Sequence, residues 1–205
     1  MDARDRFAEA FSGWRPDFRP VVEQLSRQRA ALLALVGQRV EAGWTGREPR
    51  AQRWSRSVPV VLALDGGGRL EIAWDGFHRL SLTWGTVDVA VSPTGVFGRE
   101  HFWRPGEPAA VAAVVGRTVT GIAVTDKPIL RDSPDLDWSS PGVPAGHVSR
   151  WSPIGLLIEC GPVALHHIDD GERTYLTTDP SPETATLWGR STRLEDWPPP
   201  GAPAG

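Results

Sequence analysis

One stretch of this chain is written twice. Ala30-Ala31-Leu32-Leu33-Ala34-Leu35-Val36-Gly37 matches Ala109-Ala110-Val111-Ala112-Ala113-Val114-Val115-Gly116, and each copy leads into a strand-like run, Gln38 to Trp44 or Arg117 to Thr125. Downstream, Leu62-Ala63-Leu64-Asp65 lines up with Leu156-Leu157-Ile158-Glu159, and after a one-residue slip Leu70 and Ile72 fall opposite Leu165 and His167, and Asp75-Gly76 opposite Asp170-Gly171. A small apolar run, a helix-ending glycine, alternating strands and turn glycines recur in one order, which predicts an internal duplication. Two copies are too few for a solenoid, so they should pack about a pseudo-two-fold as a shared sheet, a sandwich or a barrel.

Periodicity fills in the units. Phe7, Ala10, Phe11 and Trp14 predict a short amphipathic helix over 2–12, and Val21, Leu25, Leu32 and Leu35 a stronger one from Pro20 to Val36, with Asp17 as cap candidate and Gly37 as its stop. The period then changes to two. Val58 to Leu64, Arg69 to Trp74, Arg79 to Trp84 and Val87 to Val91 read as an antiparallel meander turning at Asp65-Gly66-Gly67-Gly68, Asp75-Gly76 and Trp84-Gly85. The expected class is α+β: mainly antiparallel β-meander units, duplicated, with two N-terminal helices. The segments are a helical 1–29, a first β unit over 30–91, a linker over 92–108, a second β unit over 109–178, and a Pro-rich, extended tail over 179–205 that Trp188 and Trp197 pin to the body.

Composition narrows the function classes. With 40% hydrophobic and 23% charged residues the 205-residue chain has the makings of a globular core. A net charge of −3 and a pI near 6.0 give no general attraction to nucleic acid or to an anionic membrane. The apolar run Ala30 to Val36 falls far short of the roughly 20 residues that cross a bilayer, and no signal-peptide pattern opens the chain. Cys160 stands alone, which excludes an internal disulfide and a thiolate zinc cluster and points to a reducing, cytoplasmic setting. All basic residues but Lys127 are arginine, and Ala, Gly and Pro abound, a bias of GC-rich, actinobacterial coding.

Candidate chemistry is sparse. His166-His167-Ile168-Asp169-Asp170 is dense in metal ligands, yet neighbours in a strand face opposite ways, so no metal is expected there. Cys160 has only a generic relation to His166 or His167 as a base, and no nucleophile elbow or phosphate-binding glycine loop is present. Asp65, Glu71, Asp75 and Asp88 read as solvated turn and strand charges rather than an acid pair. No catalytic residue and no cofactor is assigned. Two loops carry recognition chemistry instead. Thr45 to Ser57 holds Arg47, Arg50, Arg53, Trp54 and Arg56 against Glu48; Asp126 to Pro153 holds Asp126, Asp132, Asp135 and Asp137 with Trp138, Arg150 and Trp151. From these we expect a protein partner to engage Arg50, Arg53, Trp54, Arg56, Asp135, Trp138, Arg150 and Trp151. RNA would use the arginine loop too, but the acidic total and the aspartates oppose a polyanion. The alternative is an enzyme or small-molecule binder with a pocket between the sheets near His101, Trp103, His147 or His166.

At Val115-Gly116-Arg117-Thr118-Val119, Gly155-Leu156-Leu157-Ile158-Glu159 and Tyr175-Leu176 the pattern resembles small actinobacterial β-rich proteins, including immunity-type proteins of polymorphic toxin systems. The resemblance covers the repeated units and leaves the first helix and the tail unmatched. It implies a non-catalytic cytoplasmic binding module, toxin-neutralising or accessory.

Overall fold

The computed structural model describes residues 14–48, 53–55, 58–76, 78–93, 100–130, 148–169, 174–178 and 190–198. Two helices, α1 (Val21–Leu33) and α2 (Ala109–Val114), each precede an antiparallel meander. The first sheet contains β1 (Arg19–Pro20), β2 (Val40–Glu48), β3 (Arg53–Trp54), β4 (Val60–Leu64), β5 (Arg69–Trp74), β6 (Arg79–Trp84) and β7 (Phe102–Pro105). Its order is β1-β6-β5-β4-β2-β3, with β7 on β2. The second sheet, β11-β10-β9-β8-β12, is built from β8 (Gly121–Leu130), β9 (Val148–Cys160), β10 (Val163–Asp169), β11 (Thr174–Thr177) and β12 (Arg190–Arg193). The protein is thus mostly antiparallel β with few helices, α+β in the broad sense. Among the described residues no helix is long and apolar enough to cross a membrane.

The matched segments 30–37 and 109–116 each run from a helix toward an extended segment. The first helix ends at Leu33 rather than Val36, so Gly37 stands four residues beyond it and Gly116 two residues beyond the second; at φ +94° and +80°, a conformation open to glycine at little cost, each swings the chain into an extended segment. Those two segments pair with each other. Gly37 N–H donates to Val119 O at 2.9 Å and Gly116 N–H to Val40 O at 2.7 Å, while Val40 N–H reaches Arg117 O and Val119 N–H reaches Gln38 O, both at 2.8 Å. In the numbering of the repeat these are two pairs of equivalent bonds, centred on the Arg39–Thr118 bridge. The strand orders β6-β5-β4-β2-β7 and β11-β10-β9-β8-β12 also correspond. Segment 92–108 carries β7, which returns to the first strand of its own meander; the tail carries β12, which does the same, and buries Leu194 and Trp197.

Several sequence expectations change. Val87 to Val91 is not a strand: Val87 N–H is held by Glu71 and Val91 N–H closes a turn onto Asp88 O. Both described ends of the segment read as a loop from Asp126 to Pro153 are strand, because bulges at Thr125/Asp126 and Ile129/Leu130 absorb the register changes and let β8 and β9 pair on past Pro128 and Pro153. Asp17 does not cap α1. Its carboxylate accepts from Arg19 Nε at 2.8 Å, and Pro20 opens the helix. Registers set Leu62 opposite Gly43 and Ile158 opposite Ile122, so Leu62 corresponds to Ile158 rather than Leu156. That two-residue difference leaves every side chain on its face, which is why alternation alone missed it. The helix expected over 2–12 and the turn at Asp170-Gly171 lie outside the described residues.

One hydrophobic cluster joins both sheets and both helices: Leu25 and Leu32 of α1, Val111 and Val114 of α2, Leu62, Ile72 and Leu82 of the first sheet, and Ile122, Leu156 and Leu165 of the second. The first sheet is also covered on its other face, where Val61 and Ala73 pack with Trp14, Phe18, Val58 and Val87. Burial on both faces accounts for the nearly unbroken apolar runs of β4 and β5. At Gly43 the second helix touches the first sheet: a Cβ there would stand 2.5 Å from Val111 Cγ1 and 3.1 Å from Leu62 Cδ2. Gly43→Ala should therefore cost about 1–3 kcal/mol by overpacking. Adding Val111→Ala should recover part of that loss, read as a non-additive shift in urea midpoint.

Candidate binding surface

Beyond the core, β2 continues as the centre of a three-strand ledge. Arg47 is in register with Trp54 of β3 and with Phe102 of β7, and directly opposed residues of antiparallel strands share a face, so Trp54, Arg47 and Phe102 form one cross-strand row. Arg104, opposite Thr45, lies on the same face. Phe102 is 41% exposed, and Val91, which accepts a hydrogen bond from Trp103 Nε1 at 2.9 Å, is 44% exposed. These are two of the three most exposed large apolar residues described. Val89, Ser92, Phe102, Trp103 and Arg104 line an open depression of about 270 Å³ along β7. Arg47 is paired with Glu107 at 3.0 Å. Arg104 lies over the Phe102 ring, 6.0 Å from its centroid, and makes no ion pair among the described residues.

The matching corner of the second sheet is filled from within. Arg190 of β12 lies 4.1 Å from the centroid of the Trp151 ring, with its Nε 3.5 Å from the buried Asp126 carboxylate. Burial pushes the Asp126 carboxyl above its usual range, opposed by the charge of Arg190 and by a hydrogen bond from Trp197. An arginine on an aromatic ring thus occurs at both corners. A carboxylate completes only the second.

Of the residues expected at a partner surface, Arg50, Arg56, Asp135 and Trp138 lie outside the described residues. Arg53 and Trp54 form β3 on the first sheet, Trp54 partly buried. Arg150 and Trp151 lie in β9 on the second sheet, where alternation turns exposed Arg150 to one face and Trp151 to the other, beneath Arg190. Residue types alone missed Phe102, Arg104 and Arg190. The alternation of Phe102-Trp103-Arg104 was the available signal, hidden in a segment read as linker.

The other candidates have structural occupations. His166 and His167 fall on opposite faces of β10, both buried, and among the described residues no three metal-ligating side chains cluster. Cys160 is buried in the main core, which pushes its thiol up to about 11. His101 is buried, its N–H bonded to Pro93 O, while His147 lies outside the described residues. Asp65 accepts from Arg39 N–H, Asp75 pairs with Arg79, and Asp88 accepts from Ala90 N–H. Glu71 is not a solvated strand charge as its sequence context indicated: it is fully buried and accepts from Thr83, Thr86 and the Val87 amide.

No family model, no curated protein and no solved structure matches the chain.

His167 offers a direct check on this packing. It meets Trp74 of the first sheet edge-on at 6.3 Å between ring centroids, and desolvation lowers its pKa to about 3. The unfolded chain takes up that proton near pH 6.5, so between pH 6.5 and about 3 unfolding binds a proton the folded protein refuses. Stability should fall as pH drops through this window, by up to about 1.4 kcal/mol per unit. Urea midpoints of His167→Leu should lack this slope, leaving the carboxylate contributions.

Proposed function

We propose that this protein is a non-catalytic protein-binding module, of the immunity or accessory type, which engages its partner through the β3-β2-β7 ledge and the loops attached to it. The row Trp54–Arg47–Phe102, with exposed Arg104 on the same face, carries this reading. Aromatic and arginine side chains supply large contact areas with little rotamer entropy to lose, the composition found at the energetic centre of protein interfaces. The arginine-rich loop springs from the same corner, since residues 49–52 connect β2 to β3. A lone, buried thiol suits a reducing, cytoplasmic setting.

We also infer that the scaffold is an internal duplication. The repeated unit is larger than the sequence match: a helix, a meander and a last strand that returns to the first. Equivalent hydrogen bonds at the Gly37 and Gly116 junction support it, as do matching strand orders.

A partner retained by wild-type protein from native cell extract should be released by Trp54→Ala, Phe102→Ala and Arg53→Glu. Each should lose roughly 1 to 4 kcal/mol of binding, with an unchanged thermal midpoint. Retention by all three variants, or loss of the captured species on ribonuclease treatment, would count against the proposal.

A further inference from the structure

We propose that the C-terminal segment from Arg190 to Trp197 is a proton-operated strap, which tightens on the second sheet in acid and opens locally, with the rest of the fold intact, as the pH rises to neutral. Its lock is the buried Asp126, and three observations carry the inference.

The segment is built to move as one piece. β12 is a four-residue strand at the edge of its sheet, paired with β8, and short edge elements with few contacts are where folds open locally. Beyond the ladder it is held by Leu194, whose N–H donates to Ile122 O at 2.9 Å, by Trp197 in the core, and by Arg29 of α1, which donates to Glu195 O.

The lock is imperfect as an ion pair. Asp126 is 2% exposed, yet its Oδ2 has no hydrogen-bond partner, and Arg190 Nε, 3.5 Å away, has none either. A buried carboxylate with one oxygen unmet costs more as an anion than as a neutral acid. Arg190 is the charge that faces it from β12; the turn after β12 adds the Trp197 indole, and β9 adds Pro153 and Trp151, which carry no charge. Lys127 alternates to the other face of β8, where Glu159 of β9 is paired with Arg193. Burial outweighs the pull of Arg190 and Trp197, so the closed strap keeps a proton on Asp126 more readily than the open one, in which water reaches the carboxylate. The gain to the closed form is complete below the ordinary carboxyl value of 3.8 and is lost as the pH rises through the raised one.

The matching corner lacks this lock. Phe102 of β7 stands where Arg190 stands on β12, and the place of Asp126 is taken by Arg47, whose partner Glu107 has a side chain 47% exposed. β7 is therefore an internal control.

The test follows amide hydrogen exchange of the full chain from about pH 4 to about pH 7.5, corrected for the intrinsic rate, together with the carbon-13 carboxyl resonance of Asp126. The Leu194 amide should be protected about three- to tenfold more in acid than at neutral pH, in step with the Asp126 titration, while the amides of β7 do not follow it. Asp126→Asn should hold Leu194 protection high at neutral pH and flatten its pH dependence. Arg190→Gln should move the Asp126 titration further up, and Glu159→Gln should weaken the strap at every pH while leaving the dependence in place. An Asp126 that titrates at or below 3.8, Leu194 protection that is flat in the wild type or changes in parallel with β7, or a wild-type pH dependence retained by Asp126→Asn would each overturn the proposal. The titration and the β7 comparison are read on the wild type, so they decide the matter even if the Asn variant does not fold.

Discussion

Everything in this molecule is referred to the short antiparallel junction where Gly37 to Val40 meets Gly116 to Val119. Each meander alone would leave exposed the part of its apolar face that the other unit now covers. Four backbone hydrogen bonds fix the two units against each other at the points where their helices end, which sets α2 over Gly43 and brings α1 to the second sheet. Both glycines take a left-handed conformation that a Cβ would strain, and there the chain turns from the end of its helix toward the junction. The core then forms between parts whose relative placement the junction has already limited.

A second constraint acts on the opposite face of the first sheet. Burying Glu71 there would cost several kcal/mol without partners. Thr83 Oγ1 at 2.5 Å, Thr86 Oγ1 at 2.6 Å and Val87 N–H at 2.6 Å satisfy it, and Trp14 Nε1 donates to Thr83 Oγ1 at 3.0 Å. This network draws the chain after β6 across the sheet and keeps it from becoming another strand. The following residues, tied to Trp103 through Val91 O, form one wall of the depression beside β7. A buried carboxylate far from the ledge therefore helps to shape it.

The two matching corners show how one scaffold can hold opposite chemistry. In both, the last strand of a unit returns to its first and places a side chain beside the same part of the ladder. Arg47 meets Phe102 in one, Asp126 meets Arg190 in the other. The second is closed by its own ion pair and indole, fastening the C-terminal segment to the sheet. The first keeps an aromatic and a guanidinium exposed.

The order of elements was legible in the chain because it depends on local rules: period-two alternation marked β4, β5 and β6, and the stripe Val21, Leu25, Leu32 and Leu35 marked α1. The match between 30–37 and 109–116 was legible for the same reason. Of the candidate surface, Trp54 and the arginines around it stood out by residue type, and Trp151, expected at a partner surface, lies beneath Arg190. Tertiary structure alone decided that β7 and β12 return to the first strand of their own units, since an edge pairing across many residues leaves no local periodicity to detect. It also decided which charges are spent. Glu71, Arg47 and Asp126 look like surface residues in the sequence, yet the first and third are buried and the second is paired, because burial and pairing depend on neighbours far away along the chain. Whether a charge is free for a partner is set by which distant strand lies beside it.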